Sequence, residues 1–149
     1  MPILGRSAGK CYTAAMSPEN TALWYASLLK PWFAPPAWIF GPVWSALYVL
    51  ILISFGFVFL HVLRKQWPWW VAAPFIVNLA TNLAFSPIQF SLQNNILALM
   101  DILVVLLSLL WMMAAVWKFA RWVAWIQLPY LLWVSFATVL QASITWLNW

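Results

Sequence analysis

Apolar positions run almost unbroken through four stretches of the chain, at about 42–63, 69–90, 95–117 and 121–147. At about 1.5 Å per residue, each is long enough to cross a hydrocarbon core about 30 Å thick as an α-helix. None shows the strict apolar–polar alternation of a membrane β-strand. The links RKQWPW, SLQNN and KFAR are short, so consecutive helices must run antiparallel and lie side by side. The pattern predicts an all-α integral membrane protein, an antiparallel bundle of four transmembrane helices.

The chain before these stretches reads differently. Residues 1–23 hold no continuous apolar run and no signal-type core, and are expected to form a flexible or interfacial arm. Ser17 suits an N-cap with Pro18 in the first helical position, and Trp24, Leu28 and Leu29 share a helical face, as in a short interfacial helix. Residues 24–149 then form a single unit whose first part, 24–41, is a segment dense in prolines and rings. In KPWFAPPAWIFGPVWSALY, at 30–48, Pro35 and Pro36 lack amide hydrogens and keep the preceding residues out of helix. That favours a stiff, extended lid. Pro42 suits the first turn of the helix that follows. Trp32, Phe33, Trp38 and Trp44 fit either a ligand lid or the aromatic belt of a membrane protein.

Composition supports the bilayer as solvent. The chain is 66% apolar and 6% charged, against roughly one-quarter charged residues in soluble domains. The net charge of +5 does not point to nucleic acid, because the cations sit at segment ends: Arg64 and Lys65, then Lys118 and Arg121. By the positive-inside rule, links 64–68 and 118–121 face the cytoplasm. Cys11 is alone, so it can form neither an intramolecular disulfide nor a metal cluster. His61, beside Arg64 and Lys65 at a helix end, reads as an interfacial polar residue.

Polar groups at membrane depth need a reason. Asp101 is the only acidic residue in any span; it is either a ligand or proton site or a structural hydrogen-bonding group. Asn78 and Asn82, four apart, share a face and either join helices or line a cavity. Val134, Thr138, Gln141 and Thr145 form one stripe, Trp133, Ala137 and Gln141 an adjoining one, and Trp44 aligns with Tyr48. Pro129, within the last span, should bend it. No nucleophile–base set, paired carboxylates, phosphate loop or metal spacing is legible, so binding outranks catalysis and no intrinsic cofactor is expected.

Taken in order, WY at 24–25, the stretch at 30–48, NLAFSPIQF at 82–90, ALMDIL at 98–103 and PYLLWVSFATVL at 129–140 resemble the TspO/MBR family of tryptophan-rich sensory and translocator proteins. The resemblance runs from Trp24 to Asn148. It implies a bundle that binds porphyrins, haem-like tetrapyrroles, sterols or synthetic aromatic ligands, often as a homodimer. The matching ligand positions are Tyr25, Trp38, Trp44, Asn82, Asp101, Trp133, Ala137 and Leu140, with Trp44 and Asn82 donating hydrogen bonds. Trp44 and Trp133 match the tryptophans linked in some members to light-dependent porphyrin breakdown. The sequence departs from the family in three ways. Four spans are expected where the family has five, the first being absent. Gln141 stands where asparagine is usual, and NLAF replaces the usual aromatic-rich segment. The C-terminal sterol pattern is missing, so cholesterol binding is not expected. The leading expectation is a membrane receptor or carrier for a tetrapyrrole. The alternatives are a small-solute transporter, a structural subunit and a light-driven porphyrin-degrading enzyme.

Overall fold

The computed structural model describes residues 18–149. The expected N-cap at Ser17, and the absence of a first span, fall on residues outside these. Six helices follow one another: α1 (Pro18–Ser27), α2 (Phe40–Leu63), α3 (Ala73–Ser86), α4 (Asn95–Val116), α5 (Arg121–Ile126) and α6 (Leu128–Leu147). Short 3₁₀ turns at Ala37–Ile39 and Trp69–Val71 lead into α2 and α3, and a π turn at Pro87–Ser91 closes α3. With their flanking turns they make four spans, Ala37–Leu63, Trp69–Ser91, Asn95–Val116 and Arg121–Leu147. Among the described residues the four expected spans are all present, and the protein is an integral, multi-pass membrane protein in a lipid bilayer.

Three local features differ from expectation. The helix that starts at Pro18 stops at Ser27, so Leu28 and Leu29 lie beyond it. Lys30 Nζ donates to the carbonyls of Ala26 (3.2 Å) and Leu28 (3.3 Å), and Pro31 keeps Lys30 out of helix. The last span is broken rather than bent. Gln127 separates α5 from α6, and Pro129 occupies the first turn of the new helix, where its missing donor costs nothing. The π turn follows from Pro87, which has no N–H for the carbonyl one turn back.

Ends are closed by local chemistry. Asn94 caps α4, its Oδ1 accepting from the amides of Ile96 (3.1 Å) and Leu97 (3.0 Å). At the end of α2, Lys65 takes φ 56°; its amide donates to Val62 O and that of Gln66 to His61 O, both at 2.9 Å. This is a Schellman ending with lysine where glycine is usual. Within the spans, Ser45, Thr81, Thr138 and Ser143 each donate to the carbonyl four residues back, so no hydroxyl among them is left unmet in lipid.

The backbone of α4 approaches closely both α3 on one side and α6 on the other, whereas α2 stands off from α3 and is joined to it through side chains. At the end carrying the basic links, Phe55 meets Phe75 edge-on at 4.8 Å, among the fully buried Val58, Val71, Met112, Val116 and Val123. The two basic links touch there: Trp67 lies 5.2 Å from Phe119. His61, expected as an interfacial residue, lies against Trp67 (4.7 Å) and donates from Nδ1 to Phe57 O at 2.9 Å.

Candidate ligand-binding cavity

At the opposite end the helices part around a cavity of about 560 Å³. Its walls follow from helical stripes. Gly41, Trp44 and Tyr48 come from α2, and Asn82, Phe85, Ser86 and Gln89 from α3 and its π turn. Ile102 and Val105 come from α4, and Val134, Ala137, Leu140, Gln141 and Ile144 from α6. Thr21, Ala22 and Tyr25 of α1 close the outer end. The π turn matters here, because the wider coil turns Gln89 inward, where it is buried, and brings Phe90 to the wall. Space remains because Ala22, Ala37, Gly41 and Ala137 are small where they meet the ring walls of Trp44, Phe40 and Phe85.

A directed chain of hydrogen bonds runs from this cavity into the core. Tyr48 donates to Asn82 Oδ1 (3.0 Å), Asn82 Nδ2 to Tyr130 Oη (2.8 Å), and Tyr130 to Asn78 Oδ1 (3.0 Å). Asn78 Nδ2 then donates to Ser108 Oγ (3.0 Å) and to the carbonyl of Val105 (2.9 Å). The chain threads all four spans, and each link is satisfied, as buried polar groups must be in a low-dielectric interior. Asn82 keeps one amide hydrogen, and Tyr48 keeps its oxygen as an acceptor. Trp44 packs against both phenols, tilted against Tyr48 at 5.6 Å and edge-on to Tyr130 at 6.3 Å.

A second polar group sits at the outer end. Gln141 Nε2 donates to Gln89 Oε1 (3.2 Å) and to the carbonyl of Asn95 (3.3 Å), and Thr145 Oγ1 reaches the same carbonyl (3.1 Å). Asn148 locks the segment after α1 to α6: its Oδ1 accepts from the amide of Leu29 (3.0 Å) and its Nδ2 donates to the carbonyl of Leu29 (2.9 Å). Tyr25 packs edge-on against Phe90 at 6.1 Å, and burial raises its hydroxyl above the usual tyrosine range. The group is therefore a neutral donor at physiological pH.

Of the residues expected at a ligand site, Tyr25, Trp44, Asn82, Ala137 and Leu140 line this cavity. Trp38, Asp101 and Trp133 do not. Trp38 is 73% exposed and Trp32 96%: both rings point outward from the segment after α1, which roofs the cavity through Ala37 and Phe40 rather than through its indoles. Asp101 is half-buried on the side of α4 that carries Ser108, and its Oδ2 has no hydrogen-bond partner. Trp133 stands one ring behind the wall, 5.7 Å from Phe40, with Nε1 also unpartnered. Tyr48, aligned with Trp44 by the helical stripe but not counted among the ligand positions, is a wall residue, and sequence reasoning missed Gln89 and Phe90 altogether. A signal existed for Gln89, an amide inside the apolar run SPIQF. Among the described residues no cluster of His, Cys, Asp or Glu is placed to hold a metal.

The chain is similar to known proteins over most of its length. The family profile described as TspO/MBR family matches residues 2–147, so the similarity begins well ahead of Trp24. The Tryptophan-rich protein TspO of Archaeoglobus fulgidus is 34% identical over 147 residues, covering 95% of this chain and 88% of its own. The Tryptophan-rich sensory protein of Cereibacter sphaeroides is 30% identical over 136 residues, 91% of this chain and 82% of that one. The human Translocator protein is 32% identical over 124 residues, 81% and 72% respectively.

Proposed function

The chain belongs to the TspO/MBR family, and on that premise we propose that it is a membrane receptor or carrier for a flat hydrophobic ligand. The ligand we favour is a porphyrin or another tetrapyrrole, taken up in stress- or pigment-related regulation. One observation carries the reading: an aromatic-walled cavity of about 560 Å³ with convergent polar groups at membrane depth. That volume lies within the roughly 300–1,000 Å³ of small-molecule sites, which combine apolar walls with a few placed polar groups. The Trp44 ring offers a face for stacking. The spare amide hydrogen of Asn82 meets a ligand carbonyl or carboxylate, and the Tyr48 oxygen meets a ring N–H. Of the two tryptophans that the family resemblance ties to light-dependent breakdown, only Trp44 lines the cavity, so binding is the reading kept.

The basic links gathered at one end also support an orientation with 64–68 and 118–121 in the cytoplasm and the cavity nearer the opposite surface. A homodimer is part of the same reading. Titrating purified protein with protoporphyrin while following tryptophan fluorescence tests the central reading. Saturable quenching, weakened by Trp44→Phe, is expected; quenching that never saturates contradicts it.

A further inference from the structure

The whole chain holds 7 Lys and Arg against 2 side-chain carboxylates, Glu19 and Asp101. Neither carboxylate can neutralise the basic links. Glu19 is on α1, which closes the hollow end. Asp101 lies roughly 22 Å along α4 from Val116, at about 1.5 Å per residue. Arg64, Lys65, Lys118 and Arg121 are all exposed. Among the described residues none of their charged groups forms a hydrogen bond or an ion pair; the Arg121 guanidinium only lies 6.0 Å from the Trp117 ring. Lys30, at the other end, is the contrast. Its ammonium donates to the carbonyls of Ala26 and Leu28 and lies 4.9 Å from the Tyr25 ring.

The links sit just outside the span ends at Leu63, Trp69, Val116 and Arg121, where headgroups meet the hydrocarbon. Ring contacts hold them side by side. Phe119 touches Trp67 at 5.2 Å and Trp70 at 5.8 Å, and Trp122 touches Phe57 at 4.8 Å. Trp70, Phe119 and Trp122 still present exposed surface beside the cations. Lys65 adds an independent sign. Its φ of 56° is a conformation that glycine adopts freely and other residues do not. The turn alone is better served by glycine, so a lysine kept there marks a task for its ammonium. Topology asks for cations on this side of the membrane, but for neither a lysine in a left-handed turn nor rings that join the two links.

From this we infer that the basic end binds an anionic phospholipid. Its phosphate diester lies between the Arg64–Lys65 and Lys118–Arg121 pairs, and its glycerol and upper acyl chains lie against Trp70, Phe119 and Trp122. Guanidinium groups take phosphate oxygens through paired N–H donors, and ammonium groups take them as point charges. A zwitterionic headgroup brings its own cation to four uncompensated like charges, so the site prefers a headgroup with net negative charge. The inference is independent of what the cavity at the other end holds.

The test uses the full chain in nanodiscs of phosphatidylcholine and phosphatidylglycerol in equal parts with matched acyl chains, released for native mass spectrometry. Phosphatidylglycerol should stay bound at least about tenfold more often than phosphatidylcholine, with a single bound lipid predominating. Lys65→Gln and Arg121→Gln, on separate links, should each lower that ratio about fivefold, as the attraction of one Lys or Arg to an anionic surface implies. Lys65→Arg should keep it. Lys30→Gln, which removes a charge at the opposite end, should leave it unchanged. Unfolding midpoints in phosphatidylcholine alone should match across the variants, showing that the ratio reports lipid and not folding. Equal retention of the two lipids would overturn the site. A ratio that falls as far in Lys30→Gln as in Lys65→Gln would overturn it too, because net charge alone would then be responsible. Displacement of the lipid by soluble glycerol phosphate would also contradict it, making a free phosphate the ligand.

Discussion

The two ends of the bundle are built from the same four spans, yet one is packed shut and the other is hollow. At the basic end, Phe55, Phe75, Met112 and a group of valines fill the interior with no exposed surface on most of them. At the other end, alanines and a glycine face rings across a cavity, and amide and phenol groups stand in place of aliphatic ones. Side-chain volume and polarity, not helix number, therefore make the difference. The closed end carries the stability of the assembly through contact, and the open end carries hydrogen-bonding groups that only a satisfied network makes tolerable in lipid.

The contrast can be broken most strongly at the closed end. Phe75→Ala should cost about 3–5 kcal/mol, the usual loss for truncating a buried phenylalanine, read as a lowered midpoint of thermal unfolding in detergent. At the open end Ala137→Phe should do the reverse, filling space rather than creating it. Its unfolding midpoint should be unchanged or raised, while protoporphyrin affinity falls at least about tenfold, as loss of about 1.4 kcal/mol implies. Tyr130→Phe sits between the two ends. It removes the acceptor of Asn82 and the donor of Asn78, and a destabilisation of about 1–2 kcal/mol is expected. Urea-free thermal unfolding monitored by circular dichroism would register it. Lys65→Gly is the smallest change: relief of the left-handed residue at the end of α2 should stabilise by about 1 kcal/mol or less, with ligand affinity untouched.

How much of this was legible in the sequence depended on the physical signal. The four spans and their links were, because long uncharged runs admit no other solvent. The break at Gln127 was not. Pro129 marks disruption, but only the fold decides whether a helix bends through a proline or restarts at it. The π turn at Pro87 was hidden for the same reason. For the site, the helical stripes placed Trp44, Asn82 and Ala137 on inward faces. They could not orient Trp38 or Trp133, because a ring is equally satisfied by lipid and by protein, nor Asp101, because a carboxyl at membrane depth serves a ligand and a helix contact alike. Tyr130 is the clearest omission. Nothing in PYLL distinguishes a wholly buried phenol bridging two asparagines from an interfacial one.

The most direct measurement is the structure of the protein with protoporphyrin bound. The account predicts the macrocycle between Trp44 and Ala137, with a polar edge within hydrogen-bond distance of Asn82 or Tyr48 and the packing around Phe75 unchanged. A macrocycle seated on the outer surface, against Trp32, Trp38 or the rings around His61, with the cavity collapsed or filled by side chains, would contradict it.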